Sequence, residues 1–160
     1  MHEGHELGMF LRKAYLSFHR RANSWMRDHG VTADQFVLLT VVAREPGITQ
    51  ITVVERTGSD PNTVAAVLRR LEQRRLVRRE AHALDRRVRC VFLTAEGRRV
   101  QERTAEDAEP ILAALSDCIA DCDRTQIERF LQCVHRVFSM PPAQPHGQRT
   151  RRPPQRRGTT

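Results

Sequence analysis

At Leu76 the spacing of the apolar residues changes from about three and a half to two. Upstream, Val64, Val67, Leu68 and Leu71 fall on one stripe of a helix. Downstream, Val77, Arg79 and Ala81 alternate with Arg78 and Glu80, and after a loop, His82 to Arg87, the run Val88 to Leu93 is β-branched and apolar. One element cannot carry both periods, so a helix ends here and a two-stranded hairpin with an arginine-rich loop begins. The expected fold class is mainly α with a small β-hairpin.

The helix before the hairpin has a marked start: Asp60-Pro61 reads as an N-cap followed by proline at the first helical position. Its face opposite the apolar stripe presents Asn62, Ala65, Ala66, Arg69 and Arg70, a mix of small, amide and guanidinium groups that could enter a groove without steric obstruction. A short helix precedes it, capped by Thr49, running through Ile51, Val54 and Arg56 and ended by Gly58. Before that, Thr32 and Gln35 form a capping box ahead of Phe36, Leu38, Leu39 and Val42, and Pro46-Gly47 ends the helix. A long amphipathic helix from Leu7 through Phe10, Tyr15, Phe18, Ala22 and Trp25 to Met26 opens the chain, with Gly30 as its left-handed stop.

Thr94 caps a fifth helix with the stripe Gly97, Val100, Thr104, Ala108, Ile111, Leu112, Leu115 and Ile119, which Pro110 is expected to kink or split. A second capping box, Asp123 with Gln126, starts a last helix whose face is Ile127, Phe130, Leu131, Val134 and Phe138, stopped by Pro141-Pro142. The tail beyond has five arginines and no acid and is expected to be disordered.

Of the 160 residues 27 are Lys or Arg and 19 Asp or Glu, a formal +8, and the excess is unevenly placed. Residues 1–68 are balanced, 69–99 carry +7, 100–138 carry −4 and 139–160 carry +5. A step of this kind over the helix–hairpin region is the footprint expected for a polyanion, although a solvated arginine-rich surface has the same composition. No apolar run is long enough to span a bilayer, and the N-terminus lacks a basic and then apolar leader, so a cytoplasmic protein is expected. Four cysteines are too few for a secreted disulfide scaffold and are read as reduced thiols.

Helix, short turn, capped helix and basic-looped hairpin is the order of a winged helix-turn-helix. The strings GITQITVVERTGSDPNTVAAVLRRLEQRRLVRR, DRRVRCVFLT and TAEG resemble the multiple-antibiotic-resistance regulator (MarR) family of bacterial transcription factors. The most specific element is Asp85-x-Arg87 followed by Leu93-Thr94 and Gly97. The resemblance implies double-stranded DNA as partner, with Arg87 entering the minor groove, Asp85 helping to hold it, and contacts from Thr49, Gln50, Ser59, Asn62, Thr63, Ala65, Ala66, Arg69, Arg70 and Arg86. It also implies a homodimer on a pseudo-palindromic operator. The domains would then be an N-terminal dimerisation helix over 1–30, the DNA-binding module over 31–94, C-terminal dimerisation helices over 95–139 and the basic tail over 140–160. The long apolar stripes of the first, fifth and sixth helices, which a small winged module cannot cover, fit that expectation. In place of the glycine usual before the first wing strand stands Arg75, so that turn must close without one.

Family members are usually released from DNA by a small molecule, often aromatic or phenolic. The candidate effector residues are Tyr15, Phe18, His19, Trp25 and Phe36; the same four rings also fit an ordinary core, and His19 a surface or interface position. Cys118 and Cys122, four apart, would share a helix face, with Cys133 as a third thiol, which suits a redox-responsive variant of the fold or plain buried structural thiols; Cys90 is expected in the core. A sequence-tolerant architectural DNA-binding protein is the other alternative. No Gly-rich phosphate loop, metal-spaced His/Cys set or nucleophile with a histidine partner is present, so no enzyme, cofactor or metal is expected.

Overall fold

The caps set the helix boundaries. A computed structural model describes residues 3–139; the chain divides into two compact units, Met1–Asp117 and Cys118–Thr160. Helix α1, Glu3–Met26, starts a turn earlier than its apolar stripe and runs into a single 3-10 turn, Arg27–His29, closed by Gly30 at φ 65°. Thr32 and Gln35 form both halves of the capping box of α2, Ala33–Arg44. Thr49 caps α3, Gln50–Thr57, and Gly58 at φ 64° supplies the left-handed conformation that turns the chain toward α4, Pro61–Gln73.

Helix α4 buries Val64, Val67, Leu68 and Leu71 against Leu38, Leu39, Val42 and Val53. Full burial of each large apolar side chain is worth roughly 1.5–3 kcal/mol, so this stripe fixes the roll of α4 and with it the outward set. In α3 the core contact is Val53, while Ile51 is 68% exposed; the β-branched run left the inward residue ambiguous by periodicity.

The sheet has three strands rather than the two expected, in the order β1–β3–β2: β1 is Ile48–Thr49, β2 Val77–Ala81 and β3 Arg89–Leu93, all antiparallel. A two-residue strand has no periodicity to read; it exists because Ile48 pairs with Val91 and Thr49 with Cys90. Helix α5, Ala95–Asp117, is continuous through Pro110 and is not split there, the proline lying on its exposed side. Gly97, Thr104, Ala108 and Ile111 are buried, whereas Leu112 and Leu115 at the end of the stripe are exposed.

The turn between α4 and β2 closes through Arg75 at φ 57°, the one non-glycine among the described residues in the left-handed region. An L side chain there costs about 1–2 kcal/mol. Arg75→Gly is therefore expected to raise stability by about 1 kcal/mol in urea unfolding with an unchanged m-value; a loss of stability would show that the turn carries no strain.

In the second unit, α6, Arg124–Ser139, opens at Asp123, whose Oδ1 accepts from the Gln126 backbone N–H at 3.1 Å; among the described residues the return half of the capping box is not formed. None of its residues is buried, and Leu131 and Phe138 are exposed. Cys118 and Cys122 do not share a helix face: α5 stops at Asp117 and both lie in the turn before α6. They and Cys133 are exposed rather than buried, Cys90 is buried, and all four are free. The Pro141-Pro142 stop and the tail over 140–160 lie outside the described residues. No described helix is long and apolar enough to cross a membrane.

Candidate nucleic-acid interface

Asp60 fixes the start of α4. Its Oδ1 accepts from the backbone N–H groups of Asn62 at 3.0 Å and Thr63 at 2.9 Å. Bonds from the hydroxyl and then the backbone of Thr63 hold this carboxyl below its usual pKa, so the cap is ionised at neutral pH. With the apolar stripe turned inward, Asn62, Thr63, Arg69 and Arg70 are exposed and Ala65 and Ala66 partly so. Arg69, Arg70, Ala66 and Gln73 line one polar hollow on the outer face. The arrangement is a narrow ridge of small residues flanked by guanidinium groups, suited to a major groove.

The hairpin stands beside this helix. Strand β2 pairs with β3 from Val77↔Leu93 to Ala81↔Arg89, and residues 82–88 form the loop. The Asp85 Oδ1 accepts from the backbone N–H of Arg87 at 2.9 Å, the Val88 N–H donates to the Asp85 carbonyl at 3.0 Å, and the His82 N–H to the Val88 carbonyl at 2.9 Å. Asp85 thus holds the backbone of Arg87 rather than its guanidinium. Arg86 and Arg87 are exposed, and neither has a carboxylate partner among the described residues. Thr49, Gln50 and Arg87 line one groove of about 370 Å³ between α3, the start of α4 and the base of the wing, with Ile51, Val54, Pro61, Val88 and Arg89. Two predicted contacts at the start of α3, its cap Thr49 and its first residue Gln50, and the wing arginine are therefore brought to one concavity, whereas Ser59 and Thr63 turn toward a different pocket.

The basic block does not act as one surface. Arg79 donates from Nε to Glu72 Oε2 at 3.0 Å, and its Nη2 bonds the same oxygen, tying the end of α4 to β2. The hydrogen bond from Arg79 lowers the Glu72 pKa, opposed by desolvation, and the same bond raises that of Arg79. Arg78 lies 4.5 Å from the centroid of the Phe92 ring, the residue opposite it in the register. Arg99 pairs with Glu96. Glu96 and Arg99 are three apart on α5, an ordinary helical pair, but sequence spacing did not disclose the partners of Arg78 and Arg79; the Glu72–Arg79 pair spans the turn at Arg75 and exists only once that turn is closed.

A second pocket, of about 220 Å³, lies between α1 and the helix-turn-helix. Tyr15, Phe18 and His19 of α1 face Val37 and Leu38 of α2 and Ser59 and Thr63 at the α3–α4 turn. The Tyr15 and His19 rings stack with centroids 5.3 Å apart, and His19 Nδ1 is 4.0 Å from Asp34 Oδ1. Trp25 and Phe36 are not in this pocket; both pack against the core. The sequence pattern gives the face of a helix and not what lies across from it: α1 places Trp25, and α2 places Phe36, against the core rather than in the pocket.

Comparison with known proteins agrees with the geometry. The MarR family model matches residues 29–88. The transcriptional regulator HosA of Escherichia coli is 39% identical over 124 residues, 76% of this chain and 89% of HosA. Among solved structures, the PcaV transcriptional regulator of Streptomyces coelicolor, in complex with its natural ligand, is 29% identical with a TM-score of 0.64, covering 87% of this chain and 93% of that one. A structure on the regulation of DNA binding of Bordetella bronchiseptica BpsR by 6-hydroxynicotinic acid is 26% identical with a TM-score of 0.66, covering 83% and 98%. A capped helix pair, a wing held at Asp85 and a relative of this similarity along most of its length leave one assignment: the chain is a transcriptional regulator, not an enzyme, and belongs to the MarR family.

Proposed function

We propose that the chain is a homodimeric repressor that reads a pseudo-palindromic operator with α4 and the wing, and that a small aromatic ligand in the α1–α4 pocket releases it. The observation that carries the coupling is that Ser59 and Thr63 line this pocket together with Tyr15 and Phe18. Thr63 is also one of the two residues whose N–H groups hold Asp60. An occupant there touches the first turn of the helix that enters the groove, and it releases DNA by binding more tightly to a placement of that helix that does not fit the groove, since only such a difference shifts the equilibrium. The ligand reported for BpsR supports an aromatic effector.

Dimerisation is supported by apolar surface that the described chain leaves uncovered: Leu7 and Phe10 on α1, Leu112 and Leu115 on α5, Leu131 and Phe138 on α6. Two copies present two α4 helices to half-sites about 10 bp apart. Asn62, Ala65, Ala66 and Arg69 are assigned to base edges, Thr49, Gln50, Arg70 and Arg86 to phosphates, and Arg87 to the minor groove.

Selection of bound genomic fragments followed by fluorescence anisotropy tests the reading. The selected operator should bind about 10³-fold or more tighter than random DNA, and 6-hydroxynicotinic acid or another hydroxylated aromatic acid should weaken binding by wild type but not by Phe18→Ala. Affinities for operator and random DNA within tenfold of each other would instead make this an architectural DNA-binding protein.

A further inference from the structure

Arg74 belongs to the basic block by sequence but not by placement. It is the C-cap of α4, and its Nη1 donates back to the Gly30 carbonyl at 2.6 Å and to the Gln35 side-chain carbonyl at 3.4 Å. The same Gln35 oxygen accepts from the Thr32 N–H at 3.1 Å. One residue before Gly30, His29 Nε2 lies 2.8 Å from Asp107 Oδ2 of α5, with the His29 side chain only 9% exposed. Asn23 Oδ1 of α1 accepts from the Ala33 N–H at 2.8 Å. The junction over 29–35 is thus gripped from three helices, by Asn23, Arg74 and Asp107.

The end of α4 meets α5 at a second place. The Thr94 N–H donates to the Leu76 carbonyl at 3.0 Å, and Gly97 lies directly on Leu76. A single attachment acts as a pivot and leaves the angle between two helices free. Asp107 is ten residues beyond Gly97 on α5, about 15 Å along the axis at 1.5 Å per residue, so an attachment there converts the pivot into a fixed angle. Arg74 suits the link because a guanidinium is charged at every relevant pH and its Nη1 carries two N–H donors, which meet the Gly30 and Gln35 oxygens from one planar group.

We propose that Arg74 is a positioning residue and not a DNA contact: through Gly30, His29 and Asp107 it sets the angle of α4 on α5, and so the half-site spacing the dimer accepts. This rests on the dimeric operator reading above. Phosphate contact and positioning leave different marks, because each phosphate neutralised steepens the salt dependence of binding and a bond within the protein does not.

The test is a set of operators with identical half-sites whose spacing varies in single base-pair steps, titrated at several salt concentrations with the full chain as wild type, Arg74→Ala, Arg74→Lys and Asp107→Ala. Wild type prefers one spacing. Arg74→Ala and Asp107→Ala lower that preference over the neighbouring spacings by about fivefold, the loss of one charge-assisted hydrogen bond at a partly exposed site, with the salt slope unchanged. Arg74→Lys, which still offers a donor to Gly30, restores part of the preference. A salt slope reduced by about one in Arg74→Ala identifies a phosphate ligand and overturns the proposal, as does an unaltered spacing profile in both alanine variants. Should Arg74→Ala fail to fold, Asp107→Ala carries the same readout from an exposed carboxylate. A wild type without any spacing preference overturns the dimeric reading, and the proposal with it.

Discussion

Gly97→Ala is expected to destabilise the protein by about 3 kcal/mol or more, a large share of the stability of a domain this size. A Cβ at this position falls inside van der Waals contact of the Leu76 carbonyl oxygen, with the carbonyl carbon at 2.8 Å and Cα at 3.2 Å. The atoms in the way are backbone, and that backbone is committed: the Leu76 N–H donates to the Leu71 carbonyl at 2.9 Å, its own carbonyl accepts from Thr94, and the Thr94 hydroxyl donates to Arg75 at 2.6 Å while accepting from the Gly97 N–H at 3.0 Å. No rotamer change relieves such a contact, so α5 must move off the α4–β2 turn. Chemical denaturation measures the loss. A change under 1 kcal/mol would mean that the turn yields as a unit, and the pivot on which the angle of α4 depends would be softer than its bonds imply.

Arg87→Ala is expected to weaken operator binding by about 1–3 kcal/mol, to relax any A/T preference at the flanking base pairs and to reduce the salt slope by about one. The guanidinium is exposed and unpaired among the described residues, on a loop whose backbone Asp85 closes, so the substitution removes a free cation without disturbing an internal partner. Thermal unfolding should be unchanged within about 0.5 kcal/mol, as for surface positions generally. A folded variant that binds its operator as wild type does removes the wing from the interface.

What could be read from the sequence was what is decided locally. Thr32, Thr49 and Asp60 cap helices because an oxygen one turn from free N–H groups bonds them wherever the helix sits, and Val64, Val67, Leu68 and Leu71 share a face by helix geometry alone. Features decided by the other side of a contact were not legible. Strand β1 is made by its pairing with β3; Arg74 and Arg79 are withdrawn from the DNA face by Gly30 and Glu72, residues no spacing connects to them; Trp25 and Phe36 were as plausible for the pocket as Tyr15 and Phe18 until the packing of α1 and α2 separated them. The Cys118–Cys122 face failed for another reason: the apolar stripe runs on to Ile119, but α5 ends before the first thiol, so no helix carries the spacing.

The Asp85 carboxylate bonded to the main chain of Arg87, with its side chain left unbound, divides the entropy of recognition in two. The loop torsions are restricted when the protein folds, at a cost charged once to stability. Only the rotamers of Arg87 remain to be frozen on DNA, about 0.5–1.5 kcal/mol for such a side chain. The wing thereby offers a stiff arm with a loose hand, able to follow a groove whose width varies from one operator to the next without reordering its backbone each time.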